Sequence, residues 1–227
     1  MHAWRWILLE IAREPIMLFW LMLFPTGLYW LVGDGQQAVA ISVVSYAVFT
    51  AAVYGCGLAL LWKRESGFLK SFVQDLASWR RLLIGYALAG SILLAMSMII
   101  LSVFLMTVFD MDWVFIVDLA VRAIVWCFCL SLLLGSLVLV PLTARSAMAA
   151  TNMLIIPLTV LNTYVHTSGS SIILRALNEV NPLSISEKMM FIDHLPPTII
   201  FCLLSMYGLG AYLPLTRFRL NAKGLRL

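Results

Sequence analysis

The stretch from Leu82 to Phe109 reads LLIGYALAGSILLAMSMIILSVFLMTVF and contains no charged side chain. About 20 apolar residues in a helix cross a hydrocarbon core about 30 Å thick, so this stretch is long enough to span a membrane. Similar segments lie on both sides of it, and together they predict six spans: Pro15–Val32, Ala40–Trp62, Leu82–Phe109, Leu119–Leu142, Ala149–Val165 and Pro197–Leu215. Hydrophobic residues make up 63% of the 227 and charged residues only 11%, whereas soluble domains have about a quarter charged residues. The sequence therefore predicts an all-α, polytopic membrane protein with a single transmembrane domain over residues 1–227.

The basic residues predict how these spans are oriented. Six spans place both termini on one side of the membrane, and that side holds twelve of the 15 Lys and Arg residues, against two on the opposite side and Arg122 within the fourth span. Because Lys and Arg concentrate in cytoplasmic segments, both termini and the segment from Lys63 to Arg81 are predicted to be cytoplasmic, with the protein in the cell membrane. This asymmetry also accounts for the pI of about 9.0 without a nucleic-acid partner.

No motif of enzyme chemistry occurs in the sequence. The patterns GxxxxGK[ST], HExxH and GxSxG are all absent, which excludes an ATP-binding phosphate loop of that type, a zinc protease motif and a nucleophile elbow. The four cysteines, Cys56, Cys127, Cys129 and Cys202, lie in predicted spans without metal-ligand spacing, so we expect small buried hydrophobic side chains. No catalytic residue, metal site or cofactor is predicted in this chain.

Two segments on the predicted cytoplasmic side have amphipathic patterns. In residues 1–14, apolar side chains recur at helical spacing from Trp4 to Ile11, which predicts an N-terminal interfacial helix or, alternatively, an ordinary flanking segment. In residues 63–81, apolar side chains recur at the same spacing between two basic pairs: Phe68, Leu69, Phe72, Val73 and Leu76. The second pattern fits a docking helix for a cytoplasmic partner and equally fits a helix lying on membrane lipids.

The predicted outer segment 166–196 is long for a simple connection. Asn181-Pro182 is a chain-breaking signal, and the apolar clusters on either side of it are each too short to span a bilayer. This combination predicts two short re-entrant helices that dip into the outer leaflet before the last span. A folded extracellular loop is the alternative.

The predicted spans contain almost no ionisable side chains. Arg122 lies about one turn from the outer end of its span, close enough to extend to the membrane surface or to pair with Asp118. Ion-coupled transport is disfavoured, since it needs a buried titratable site. Uncharged polar side chains form one stripe on the second span and one on the fifth, and they either line a substrate route or hydrogen-bond between helices: Tyr46, Thr50 and Tyr54, then Asn152, Thr159 and Thr163.

In this order along the chain, the features resemble the permease subunit of an ABC-2 type transporter. The matching elements are Arg13-Glu14-Pro15 after the interfacial helix and Pro25 in the first span. The stretch Arg64-Glu65-Ser66-Gly67-Phe68-Leu69-Lys70 resembles the Arg/Glu-x-Gly stretch of that family, and Leu177-Asn178-Glu179-Val180-Asn181-Pro182-Leu183 resembles its Asn-Pro element. The resemblance covers nearly the whole chain.

The resemblance implies a bacterial exporter that moves an amphipathic or apolar drug, peptide or lipid-like molecule out of the cell. A separate ABC ATPase subunit would bind ATP and Mg, and a second permease subunit, identical or homologous, would pair with this chain, which is itself not an enzyme. The implied coupling residues are Arg64, Glu65, Gly67, Phe68, Leu69 and Phe72, and the implied outer gate contains Asn181 and Pro182. The alternative function is a non-pumping immunity or binding protein that sequesters a peptide or signals to a partner.

Overall fold

The computed structural model describes residues 18–33, 35–69, 76–139, 141–167 and 172–190, together with Ile7, Leu9, Ser205, Gly208 and Gly210. All regular structure in these ranges is helical, and no strand occurs in them. Apart from the five single residues, the predicted interfacial helix over 1–14 and the predicted last span Pro197–Leu215 lie outside the described residues. Phe72 and residues 191–196 also lie outside them.

Seven continuous helices, α1 to α7 in chain order, make up the described part of the chain: Phe24–Val32, Gln37–Glu65, Leu76–Phe109, Trp113–Leu134, Ala144–Thr167, Ile172–Glu179 and Pro182–Met190. A π-helical turn at Phe19–Leu23 precedes α1, and α2 widens into a π-helix at Val53–Leu58. A 3₁₀ turn at Gly135–Leu139 follows α4.

Four helical stretches are long and apolar enough to cross a membrane: Gln37–Glu65, Ala77–Phe109, Trp113–Val138 and Ala144–Val165. They coincide with the second to fifth predicted spans. A shorter apolar helix, Leu21–Val32, lies within the first predicted span. The described residues therefore form a helical protein with four candidate membrane-spanning helices, as expected for a membrane protein.

Contacts between the long helices define two ends of the bundle. The last residues of α2 lie next to the connection between α4 and α5, where Glu65 contacts Ala144. We call this the Arg64 end. Near the start of α2, Ser42 contacts Asn162 of α5, so the two helices run antiparallel. This opposite end also holds α6, α7 and the start of α4, where Asp112 accepts a hydrogen bond from the Val114 N–H at 3.2 Å. We call it the Asp112 end.

The central helix of the bundle is α2, which packs against α3, α4, α5 and α7. In its most apolar window 83% of the residues are buried, against 17% in that of α5. Two glycines allow α2 and α3 to cross closely, because a Cβ built on Gly55 would lie only 2.9 Å from the Cα of Gly90. Small residues at such crossings let helix backbones approach within membranes.

Helix α4 holds the C-terminal part of α7. Arg122 Nε lies 2.7 Å from Asp118 Oδ2, which confirms the predicted pairing of these two residues. Arg122 Nη1 also donates to the carbonyl oxygen of Met190 at 3.2 Å, at the last residue of α7. One turn further along α4, Trp126 Nε1 donates to Ser186 Oγ at 3.0 Å.

The described cysteines are packed inside the bundle. Cys56, Cys127 and Cys129 are buried with free thiols, which confirms the prediction for these three residues. Cys202 lies outside the described residues.

Candidate functional site

A small cavity lies between α2 and α5, at the level of the two predicted polar stripes. Its volume is about 180 Å³, and it is lined by Tyr46 and Tyr54 of α2 and by Asn152, Ile155 and Ile156 of α5. We call it the tyrosine cavity. None of these lining residues is an Asp, Glu, Lys, Arg or His, so the polar groups of the cavity are two phenols and one amide.

The hydrogen bonds of the cavity leave some of its polar groups available. The Tyr54 hydroxyl donates to Asn152 Oδ1, so the amide nitrogen of Asn152 keeps both of its N–H groups. Tyr46 is only 2% exposed, and its ring packs against Phe24 with a centroid separation of 5.3 Å. No described residue forms a hydrogen bond with the Tyr46 hydroxyl. The hydroxyl is therefore the polar end of a largely buried ring that borders the cavity.

Both helices that line the cavity depart from regular α-helical geometry beside it. Tyr54 belongs to the π-helix Val53–Leu58 of α2, and π-helical turns occur frequently at functional sites. In α5, Pro157 follows directly after the lining residue Ile156. Proline has no N–H to bond the carbonyl four residues earlier, which weakens the helix at Met153. The walls of the cavity are therefore places where the helices can bend.

The other stripe residues bond within or between helices. Thr50 Oγ1 donates to the carbonyl oxygens of Tyr46 and Ala47 in its own helix, at 2.8 and 3.0 Å. Thr159 Oγ1 donates to the carbonyl oxygen of Ile155 at 2.7 Å. Thr163 Oγ1 lies 3.4 Å from Ser42 Oγ across the helix interface. Tyr46, Tyr54 and Asn152 thus line a cavity, with Tyr54 and Asn152 also bonded between the helices, and the threonines form structural bonds. The substrate route stays a prediction.

One turn along α2 from the cavity, a single amide joins four helices. Asn162 of α5 is fully buried, and its Nδ2 donates to Ser42 Oγ of α2 at 2.6 Å and to Glu187 Oε2 of α7 at 3.1 Å. Its Oδ1 accepts from Asn178 Nδ2 of α6 at 3.1 Å. We call Ser42, Asn162, Asn178, Asn181 and Glu187 the asparagine junction. All the amide hydrogens of Asn162 are used in it.

Asn181 shapes the break between α6 and α7 and completes the junction. Its Nδ2 donates to Asn178 Oδ1 at 3.0 Å and to the carbonyl oxygen of Leu158 at 2.9 Å. Its Oδ1 accepts from the N–H of Leu183 at 3.0 Å and so caps the N-terminus of α7. Pro182 is the first residue of α7, the position where proline is best tolerated in a helix. The outer-gate role of Asn181 and Pro182 stays a prediction.

Asn162, Ser42 and Glu187 are not among the functional residues that the sequence predicts. Asn162 precedes Thr163, and the stripe through Asn152, Thr159 and Thr163 places it on a neighbouring face of the helix. A signal for Asn162 is present in its chemistry, because an amide within a predicted span needs hydrogen-bond partners. Asn178 and Asn181, which are three residues apart, are side chains that can serve as such partners.

At the Arg64 end, two predicted coupling residues bond to the connection between α4 and α5. Arg64 Nη1 donates to the carbonyl oxygen of Val138 at 2.8 Å, and Nη2 donates to that of Leu142. Glu65 Oε1 accepts from the N–H of Ala144 at 2.7 Å, at the first residue of α5. We call these bonds the Arg64–Glu65 contact. It fixes the end of α2 to the beginning of α5.

The remaining coupling residues have different environments. Gly67 ends α2, with φ of +77° and its N–H bonded to the Arg64 carbonyl oxygen at 3.1 Å, a backbone conformation that favours glycine. Phe68 is 37% exposed, with Lys63 Nζ 5.2 Å from its ring centroid. Leu69 is 1% exposed and packs in the core of the bundle, so its side chain is not on the surface.

Searches against known protein families, curated proteins and solved structures each found no match to this chain. The tyrosine cavity, the asparagine junction and the Arg64–Glu65 contact therefore carry the functional proposal.

Proposed function

We propose that this chain is the permease subunit of an ATP-driven exporter of the ABC-2 type. It has six spans with both termini in the cytoplasm of the cell, a coupling region over 63–81 and re-entrant outer helices. A separate ATPase subunit binds ATP and Mg, and a second permease subunit, identical or homologous, pairs with this one. The substrate is an amphipathic or apolar molecule of the drug, peptide or lipid-like class.

The observation that carries this proposal is the path from the coupling region to the cavity. Arg64 and Glu65 bond to the backbone between Val138 and Ala144, and α5 begins at Ala144. About two turns further along α5, Asn152 lines the tyrosine cavity. A displacement of the residues after α2 would reach α5 through these hydrogen bonds and not through a loose loop. A coupling element has to transmit movement in this way.

The uncharged cavity also supports an external source of energy. Among the described residues, no carboxylate, histidine, Lys or Arg lines it. Carriers driven by protons or ions use titratable or charged groups inside the membrane. A permease whose described interior is uncharged at this level fits a transporter that takes its driving force from ATP hydrolysis on a partner.

In the proposed cycle, ATP binding closes the ATPase subunits and moves the coupling region. The beginning of α5 follows because Glu65 holds the Ala144 N–H. Movement of α5 relative to α2 strains the asparagine junction, whose bond between Asn162 and Ser42 links these helices. The junction is the outer closure of the route, and its separation favours the outward-open packing. Alternating packings of this kind are known for switching proteins.

Co-purification with the ATPase subunit tests the docking assignment. Phe68→Asp places a charge on the exposed apolar side chain of the coupling region, so we expect loss of bound ATPase and of substrate-stimulated ATP hydrolysis in reconstituted vesicles. The protein should still insert and elute as a folded species. Phe68→Leu should retain the ATPase, as should Trp113→Asp, which makes the same polar change at the Asp112 end at a residue that is 64% exposed. Undiminished assembly of Phe68→Asp contradicts the proposal.

The alternative function, sequestration by a non-pumping immunity or binding protein, is favoured by one observation, the presence of the tyrosine cavity between α2 and α5. A cavity of this kind is sufficient to hold a ligand without transport. The two functions differ in their need for nucleotide. Substrate binding with no stimulation of a co-reconstituted ATPase, and with no ATP-dependent uptake into inverted vesicles, favours sequestration.

A further inference from the structure

We infer that the tyrosine cavity is a binding site for a small uncharged ring that bears a hydroxyl group, a ligand of the phenol class. Such a ligand is either a whole molecule or the terminal group of a larger one. The inference deepens the proposed function by naming the chemistry that the substrate route accepts. Binding at this site needs no ATPase, so the inference can be tested independently of the export proposal.

The size of the cavity sets the first limit on the ligand. Its volume is about 180 Å³. A dry protein cavity of about 150 Å³ accommodates benzene, so one substituted ring fits here. Pockets for complete drug-sized molecules are larger, at about 300 to 1,000 Å³. The site therefore selects a single ring and not a fused multi-ring skeleton.

The unpaired polar groups indicate a ligand that both donates and accepts hydrogen bonds. The Tyr46 side chain borders the cavity, and its hydroxyl has no hydrogen-bond partner among the described residues. Asn152 accepts from Tyr54 through Oδ1, which leaves its N–H groups as donors and the Tyr54 oxygen as an acceptor. A ligand hydroxyl satisfies these groups, because it can accept from Tyr46 or Asn152 and donate to a tyrosine oxygen.

The same residues exclude a charged ligand. None of the described lining residues carries a formal charge that could neutralise a carboxylate or an ammonium group. Moving an unpaired ion from water into such an environment costs far more than moving a neutral polar group. A benzoate-like or benzylamine-like molecule of equal size is therefore rejected.

The surroundings of the cavity indicate the direction of entry. Two of its lining residues, Asn152 and Ile156, are exposed on α5. The exposed residues beside them, Met153 and Val160, are apolar and are 76% and 62% exposed. The opening thus lies in an apolar surface of a candidate membrane-spanning helix. A ligand that dissolves in hydrocarbon reaches it from the bilayer.

Equilibrium dialysis of the purified full chain in a non-ionic detergent tests the inference with three probes that share a single methyl-substituted benzene ring. The probes are p-cresol, toluene and p-toluate, and protein-free micelles correct for partitioning. We expect saturable binding of p-cresol, weaker binding of toluene because it lacks the hydroxyl, and no binding of p-toluate. Equal binding of p-cresol and toluene, or binding of p-toluate, overturns the inference.

Conservative variants locate the site. Tyr46→Phe removes one hydroxyl and should weaken p-cresol binding about twofold to tenfold, the effect of one hydrogen bond, without changing toluene binding. Tyr164→Phe removes the same group from an exposed position on α5 and should change neither. Ile156→Trp fills the cavity and should abolish binding of both probes, whereas Val160→Trp, one turn along on the exposed face, should not.

The outcomes separate this inference from the export proposal. Unchanged p-cresol affinity in Tyr46→Phe, or p-cresol binding that survives Ile156→Trp, overturns the assignment of the ligand to this cavity. Loss of ATPase assembly in Phe68→Asp with intact p-cresol binding supports both proposals. Normal p-cresol binding by a chain that never assembles with an ATPase supports the cavity assignment and removes the export proposal alone.

Discussion

At the level of single residues, the amide of Asn162 forms hydrogen bonds to an unusual number of helices. It bonds Ser42, Asn178 and Glu187, which belong to three different helices, while being fully buried in a fourth. Hydrogen bonds between membrane helices average about 0.6 kcal/mol and reach about 2 kcal/mol. Both N–H groups of the amide donate hydrogen bonds. Its removal therefore affects several helix pairs at once.

Asn162→Leu keeps the approximate volume of the side chain and removes all three bonds. We expect the free energy of unfolding to fall by about 1 to 3 kcal/mol, because the Asn178 amide and the Glu187 carboxylate lose a buried partner. The measurement is the midpoint of detergent-induced unfolding followed by circular dichroism. Asn152→Leu is the matched control, since its exposed amide makes a single described bond and its loss should cost less. An equal effect of the two variants would show that the junction contributes nothing beyond a single bond.

Glu65 provides a second test at this scale. Its carboxylate accepts from the N–H of Ala144, so it serves as a remote cap for the N-terminus of α5. Glu65→Ala should lower the free energy of unfolding by about 0.5 to 1 kcal/mol, and Glu65→Gln should cost less because an amide oxygen still accepts the bond. Hydrogen exchange at the Ala144 amide measures the effect locally. Unchanged protection of that amide in Glu65→Ala would rule out the capping role.

At the level of elements, the close crossing of α2 and α3 depends on two glycines. Gly55→Ala would place a methyl group 2.9 Å from Gly90 Cα, so the helices must separate. Overpacking of this kind costs about 1 to 3 kcal/mol. Gly27→Ala in α1 is the control, because no atom lies within 4 Å of its added Cβ, and it should be neutral or slightly stabilising. Thermal unfolding in detergent compares the two, and a stable Gly55→Ala would contradict the crossing geometry.

The sequence predicts the long helices well and their irregularities poorly. Hydropathy alone locates the four described candidate spans, since it depends on composition over about 20 residues. It contains no signal for the π-helix at Val53–Leu58, because a wider turn depends on what packs against the helix. It places Arg64 and Glu65 just after the second span, whereas α2 continues to Glu65, and it does not predict that both residues bond to the chain at the start of α5 and before it. That contact depends on tertiary structure.

The sequence also predicts the polar stripes only in part. Periodicity places Tyr46 and Tyr54 on one face of α2 and Asn152 on one face of α5, and the structure brings these faces together. It does not distinguish them from Thr50 and Thr159, whose hydroxyls bond the backbone of their own helices. Threonine in a helix has this local partner within reach, whereas a tyrosine hydroxyl extends beyond its own backbone. Side-chain length therefore separates the two tyrosines, whose hydroxyls reach the interface, from the threonines.

At the level of the whole molecule, the proposed orientation has a direct chemical test. Ser66 and Gln37 are exposed and lie at opposite ends of α2. In cells that carry Ser66→Cys, a membrane-impermeant maleimide should react only after permeabilisation, and with Gln37→Cys it should react in intact cells. Cys56, Cys127 and Cys129 are buried, and replacing Cys202 by Ala removes the fourth native thiol. Labelling of Ser66→Cys from outside would place the coupling region away from any cytoplasmic ATPase.

The wide turn of α2 has a consequence for the relation between its two ends. Successive residues of a regular helix are rotated by about 100° about the helix axis. The extra residue in the π-helical turn Val53–Leu58 therefore determines the direction in which all later side chains of α2 point. Deleting one residue from this turn would rotate the Arg64 guanidinium about the helix axis, away from the carbonyl oxygens of Val138 and Leu142. The direction of the Tyr46 side chain, which precedes the turn, would not change. A single wide turn thus fixes the rotation of the Arg64–Glu65 contact relative to the tyrosine cavity.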